Sequence, residues 1–481
     1  MFDAAQAAVE GALAAGATYA DARVMGGRTE SMNARNGVVE DLAQSESTGL
    51  GVRALIGSSW GFFASADLSD ASARSAGEQA AEIAKASALV PGPDTELAGG
   101  DEPAQTHWSS TWQEHPIDDV SLAEKGDLLV DVTRAMSAVQ GVSLATASYA
   151  IWDTEKWFVS SEGHRISQRI VECGALLNST AVGDSETQRR SYPGIRGQYG
   201  TSGWELVRQI DLQANAVRIA EEAVALLSAP QCPEETTDLI LGSEQMALQI
   251  HESVGHAIEL DRILGWEAAF AGTSWLEPEK MGSLRFGSDL MNVTADATLP
   301  GALGSFGYDD EGTPAKSVPI IEAGTWVGVL SGRDSAARVG IPSGGCVRSD
   351  GWNRLPMVRM TNVGLLPGDS SLDEMIAATD SGVLMDTNRS WSIDDKRLNF
   401  QFGCEIGWEI KNGERGRMLR NPTYTGISPQ FWGSMDMVGG RDEWIFYGTP
   451  NCGKGQPMQV GHTGHPAVPC RFRNVRVGVR G

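Results

Sequence analysis

His251-Glu252-Ser253-Val254-Gly255-His256 places two imidazoles and a carboxylate within one short stretch. The pattern is H-E-x-x-x-H, one residue longer than the zincin H-E-x-x-H. In that shorter motif two histidines at i and i+4 share a helix face and bind zinc, while the Glu acts as general base. The extra residue changes the geometry. At about 100° per residue, i+5 lies roughly 140° around a regular helix, whereas i+4 lies only about 40° away. A regular helix therefore cannot aim both histidines at one ion. A one-residue π-bulge or a break near Gly255 restores the aim, and glycine there lowers the steric cost of the distortion. Two other readings stand beside this one. The residues form a partly buried polar face, or Glu252, His256 and Glu259 at i, i+4 and i+7 form the ligand face.

Two helical histidines need a further ligand from elsewhere. Glu259, Asp261, Cys452, His462 and His465 are the candidates. Cys452 lies in the glycine-rich turn Pro450-Asn451-Cys452-Gly453-Lys454-Gly455-Gln456, with Lys454 placed to lower the thiol pKa. A lone cysteine is also an ordinary small buried hydrophobe. His107, His115 and His164 have no partner pattern.

The elements around this motif are legible from periodicity. Thr237–Leu241 reads as a short strand, and Ser243 as the cap of a helix running to about Leu260. Upstream, Phe2, Ala5, Val9 and Leu13 define a helix ending at Gly16. Strands follow at Tyr19–Met25, Ser31–Val38 and Thr48–Ala64, then a helix from Ser69 to Ala88. The order returns after the linker Val90–Pro103. A helix begins at the capping box Ser121–Glu124 and carries Leu122, Leu129, Val132 and Met136. Strands follow at Val142–Trp152, Trp157–Ser160 and Arg165–Ala181. A helix with Leu212, Ile219, Ala223 and Leu226 on one face closes the unit before Pro230. This predicts an α+β fold. Residues 1–232 form an N-terminal α/β domain of two similar units, about 1–90 and 110–230, which suggests an internal duplication. Residues 233–481 form a mostly β domain bearing the metal helix, with strands such as Val318–Ile321, Thr325–Leu330 and Phe400–Ile410.

Composition removes other classes. The 62 acidic and 38 basic residues leave a formal charge of −24, which repels phosphate backbones and argues against nucleic acid. No run of about 18 apolar residues predicts a membrane span. Met1-Phe2-Asp3-Ala4-Ala5-Gln6 lacks the basic start and apolar stretch of a secretory signal. Six dispersed cysteines with no C-x-x-C pair suit a reduced, cytoplasmic setting.

The motif and seven further segments together resemble the TldD/PmbA family of metallopeptidases, in its active, H-E-x-x-x-H-bearing TldD branch. The segments are Gly49-Leu50-Gly51-Val52-Arg53-Ala54 with Trp60-Gly61-Phe62, Asp309-Asp310-Glu311-Gly312-Thr313-Pro314 with Ile321-Glu322-Ala323-Gly324, Arg359-Met360-Thr361-Asn362 with Leu366-Pro367-Gly368, and Cys452-Gly453-Lys454. They run in order over nearly the whole chain. The resemblance implies Zn2+ held by His251, His256 and Cys452, with Glu252 as the catalytic carboxylate. It implies hydrolysis of unfolded or extended peptides admitted to an internal cavity. It also implies a homodimer, or a heterodimer with a metal-free PmbA/TldE-like relative. The alternative is a non-catalytic binding partner within such a complex. Trp266, Trp275, His462, His465 and Cys470 have no place in the family pattern.

Overall fold

The computed structural model describes residues 1–90, 92 and 94–478. The chain is α+β, and its C-terminal half is largely β. The N-terminal half holds α1 (Phe2–Ala14), β1 (Tyr19–Arg35), β2 (Val38–Ile56), β3 (Ser59–Ser65) and α2 (Asp70–Ser87). The order recurs after β4 (Gln105–Ser109), with α3 (Leu122–Ser137), β5 (Val142–Ser160), β6 (Arg165–Val182), β7 (Thr187–Tyr192), β8 (Gln198–Gly200), α4 (Trp204–Ile210) and α5 (Leu212–Leu226). One sheet holds all eight strands. Its spine runs β3-β2-β1-β5-β6-β4, and β7 and β8 also pair with β6. Antiparallel pairing of β1 with β5 joins the two long hairpins edge to edge.

Three strand expectations change. Tyr19–Met25 and Ser31–Val38 are mostly one strand, because the polar residues between them are paired on both sides. Gly26, for example, sits opposite Thr48 on β2 and Glu155 on β5. Asn36 and Gly37, both at positive φ, turn the hairpin before Val38. Val142–Trp152 and Trp157–Ser160 fuse in the same way. The expected strand Thr48–Ala64 instead breaks at Gly57-Ser58, where the chain reverses into β3. Leu13 also departs from its stripe and lies exposed, because α1 packs on α2 through alanines and glycines. A Cβ at Gly77 would lie 1.9 Å from the Ala8 carbonyl oxygen, so the two helix backbones touch there.

In the second half, β9 (Glu235–Leu241) leads into α6 (Ser243–Ile250). β9 lies in a closed ring of five strands, joined in turn by Cys470–Val477, Thr423–Ile427, Asn399–Lys411 and Ser381–Ile393. Aromatic residues fill the adjoining core, with Phe400, Phe402, Tyr424, Phe431 and Phe472 in mutual contact. The expected strand Thr325–Leu330 keeps only Thr325–Trp326. Leu330 instead bonds the chain leaving the H-E-x-x-x-H motif, through Leu260 N–H to Leu330 O at 2.9 Å and Leu330 N–H to Ile258 O at 2.9 Å.

Buried ion pairs tie the halves together. Asp310 bonds Arg23 at 2.7 Å and Lys156 at 3.1 Å, and Arg190 meets Glu405 at 2.9 Å. Arg53, paired to Asp21, also reaches Glu311 at 3.4 Å. No helix among the described residues is long and apolar enough to cross a membrane.

Candidate metal centre

α6 starts directly from the ring. Its cap position is Gly242, and Ser243 is the first helical residue, so the expected serine cap is absent. A Cβ at residue 242 would lie 2.4 Å from an Asp386 oxygen, so the close approach requires glycine. Regular α geometry ends at Ile250. His251–Gly255 is a π turn, closed by the His256 N–H on the His251 carbonyl at 3.1 Å. The wider turn brings i and i+5 to one side, and the two imidazole centroids lie 4.8 Å apart. Gly255 has a second reason beyond easing the distortion. A Cβ there would meet the Met360 sulfur at 2.3 Å.

Cys452 comes from a strand rather than a loop. Ile445–Lys454 and Gln459–Ala467 form a hairpin in which Cys452 sits opposite Gly461. This hairpin delivers Cys452 beside His256, with Sγ 3.8 Å from Nε2. One ligand-type atom from each of His251, His256 and Cys452 falls within 4.8 Å of the others, and all three residues are buried.

The remaining candidates lie behind or away from this group. His465 Nδ1 faces the Val363 carbonyl at 3.0 Å. A carbonyl only accepts, so Nδ1 carries the proton and Nε2 is an acceptor. That Nε2 lies 2.7 Å from His251 Nδ1, which therefore donates. The lone pair of His251 is thus on Nε2. Glu259 does the same for the second ring, receiving the His256 Nδ1–H at 2.9 Å and leaving Nε2 free. Glu259 is therefore behind His256 and not a member of the ligand face. Asp261 is bound by Lys454 at 2.8 Å. His462 points to the opposite face of the hairpin, against Trp152 and 2.8 Å from Glu172.

Burial sets the protonation states. It holds His256 down at about 3 despite Glu259, His465 down at about 4, and His251 well below its usual range. All three rings are neutral at pH 7, as metal ligation and its hydrogen-bonded support require. Burial also pushes the Cys452 thiol up, outweighing the lowering pull of Arg359 and the expected but smaller one of Lys454, whose ammonium is turned to Glu259 and Asp261. The Glu252 carboxyl is raised by burial, against the opposing pull of Arg397 and Arg196. Arg397 Nη1 holds Glu252 Oε2 at 2.9 Å. Arg397 and Arg262 were not singled out by spacing. Lys454 was, by its position two residues after Cys452, whereas Arg262 lies in a one-turn helix and Arg397 in the short connection between two strands, where periodicity carries no signal.

A fold of this kind, with a histidine pair and a cysteine gathered around one point beside a buried glutamate, has the architecture of a metallopeptidase. Family-wide sequence models agree. Those for the PmbA/TldA metallopeptidase match residues 20–84 as domain 1, 115–229 as the central domain and 234–478 as the C-terminal domain. The chain belongs to the PmbA/TldD metallopeptidase family. It is 31% identical over 461 residues to a metalloprotease of Methanothermobacter thermautotrophicus, covering 96% of this chain and 95% of the relative. A zinc metalloprotease TldD homolog of Saccharolobus solfataricus is 27% identical over 242 residues, 50% of this chain and 51% of that one. The crystal structure of TldE from Thermococcus kodakarensis superposes with a TM-score of 0.73 at 17% identity, covering 98% and 99% of the two chains.

Proposed function

We propose that this chain is an active zinc peptidase of the TldD type, with His251, His256 and Cys452 as ligands and Glu252 as general base. The observation that carries this is the meeting of those three donors. The 3.8 Å between Cys452 Sγ and His256 Nε2 is close to the about 3.5 Å expected of N and S donors on one tetrahedral zinc. Each histidine also keeps its Nε2 lone pair because another side chain fixes the Nδ1 proton. Zinc bound there would acidify a water and polarise the scissile carbonyl.

The chain's own residues do the rest. Glu252 takes the proton of the attacking water and passes it to the leaving amine. Its buried carboxylate is held in one orientation by Arg397, so little reorganisation precedes proton transfer. The metalloprotease relatives support peptide cleavage. Unfolded or extended peptides are the substrates in this reading, and the working form is a dimer with a second copy or a TldE-like relative. The TldE likeness supports a shared fold for that partner.

The test combines metal content with peptide cleavage. The wild type is expected to hold about one zinc per chain and Cys452→Ser to lose most of it. Glu252→Gln is expected to keep the zinc and lose cleavage by about 10²–10⁴-fold. Full cleavage by Glu252→Gln sinks the assignment of the base. Zinc retained by Cys452→Ser sinks the third ligand.

A further inference from the structure

The back of the hairpin that carries Cys452 closes a cavity. Its volume is about 340 Å³, and it lies between the N-terminal sheet and the C-terminal half. Trp152, Ile170 and Phe306 supply apolar wall, and Arg348 and Arg359 supply charge. His462 faces this cavity, while Cys452 and His465 of the same hairpin serve the opposite face.

Arg359 is unlike the chain's other buried arginines, and half-buried Arg348 beside it shares the difference. Arg23, Arg53, Arg190, Arg262, Arg333 and Arg471 each pair with a carboxylate. Among the described residues, Arg348 and Arg359 pair with none. Arg348 Nη2 donates only to the carbonyls of Met360 and His462. Arg359, 2% exposed, donates only to the carbonyls of Cys452 and Gln459. The Nε of each arginine is buried without an acceptor. The acids lining the cavity are already engaged. Glu172 accepts from His462 at 2.8 Å, and Asp350 accepts the Val460 N–H at 2.8 Å. Glu172 and Asp310 act on Arg348 from a distance, but neither guanidinium has a carboxylate in direct contact among the described residues, and an anion bound between them would supply one. Guanidinium geometry suits a carboxylate or phosphate group in particular.

We propose that this cavity is a binding site for a small oxyanionic molecule, whose carboxylate or phosphate group is held by Arg348 and Arg359 and whose body rests on Trp152 and Phe306. The site lies across the hairpin from the metal centre, touching it only where Arg359 bonds the Cys452 carbonyl, and does not depend on the peptidase reading.

Calorimetric titration of the metal-loaded protein tests this, with inorganic phosphate and acetate as separate probes at constant ionic strength. Saturable one-site binding of at least one probe is expected, weakened tenfold or more by Arg348→Met. Binding of phosphate alone identifies a phosphate site, and binding of acetate alone a carboxylate site. No saturable binding of either overturns the proposal. So does unchanged binding in Arg348→Met, which would move the anion elsewhere, for instance onto the metal. Should that variant fail to fold, wild-type crystals soaked in selenate give the answer. An anomalous peak between Arg348 and Arg359 is expected, and a peak absent from that position overturns the site.

Discussion

His465 stands behind His251, with its Nε2 2.7 Å from the Nδ1 of that ring. Val363 fixes the tautomer of His465, His465 fixes that of His251, and the chain of donors ends in a lone pair aimed at the candidate zinc position. Outer partners of this kind orient ligands and raise their basicity. His465→Ala is therefore expected to lower zinc affinity about 10–100-fold while leaving the three ligands in place. Competition with a chromogenic chelator measures this. An affinity within twofold of wild type would show that His465 only fills space.

Lys454 is fully buried against Glu259 at 3.2 Å and Asp261 at 2.8 Å, and also donates to the Val358 carbonyl at 2.9 Å. Burial opposes its charge, but the two carboxylates outweigh that and raise its pKa. Lys454→Met leaves two buried carboxylates with Arg262, 3.3 Å from Glu259, as the remaining cation in contact. Breaking such a group costs about 3–5 kcal/mol. Urea denaturation is expected to show a loss of that order, partly recovered by adding Asp261→Asn. A loss below about 1 kcal/mol would mean that water reaches these carboxylates.

How much of this was open to a reader of the sequence depends on whether local spacing carries the information. The mismatch of H-E-x-x-x-H with helical periodicity pointed to a π turn, and one is present at His251–Gly255. Cys452 stood out because its neighbours formed a motif. The supports did not, because they are tertiary. His465 reaches His251 across 214 residues, and Arg397 reaches Glu252 across 145. Lys454 does pull the Cys452 thiol down, as its place in the sequence suggested, but burial outweighs it, and nothing local showed the two carboxylates folded against its ammonium. Strand ends were blurred where polar residues such as Gly26–Glu30 are held by pairing on both edges rather than by an apolar face.

Gly255 is held by packing. The Met360 sulfur would lie 2.3 Å from a Cβ at this position. Gly255→Ala must push Met360 aside, and overpacking of this kind costs about 1–3 kcal/mol. Because the π turn carries both histidines, zinc affinity is expected to fall with stability. The companion variant Met360→Ala makes room, so Gly255→Ala with Met360→Ala should regain zinc affinity relative to Gly255→Ala alone. Thermal unfolding and chelator competition on the three variants check this. Equal zinc affinity in the single and double variants would place the need for glycine in the backbone instead.

Glu244, in the first turn of α6, supplies a pH dependence away from the metal ligands. Burial pushes its carboxyl up to about 8, Asp386 and Glu405 push the same way, and the Asn388 N–H and Arg196 oppose them. A raised carboxyl pKa means that the folded chain holds a proton which the unfolded chain releases near pH 4.5. Between about pH 4.5 and 8 the native state binds more protons than the unfolded state, so this group's contribution to stability falls as pH rises. Glu244→Gln mimics the protonated form and keeps an acceptor for the Asn388 N–H. The wild type is expected to lose stability relative to Glu244→Gln on moving from pH 5 to pH 8, read as the difference between their urea midpoints. A difference that stays constant across that range would mean that Glu244 ionises normally in the folded chain.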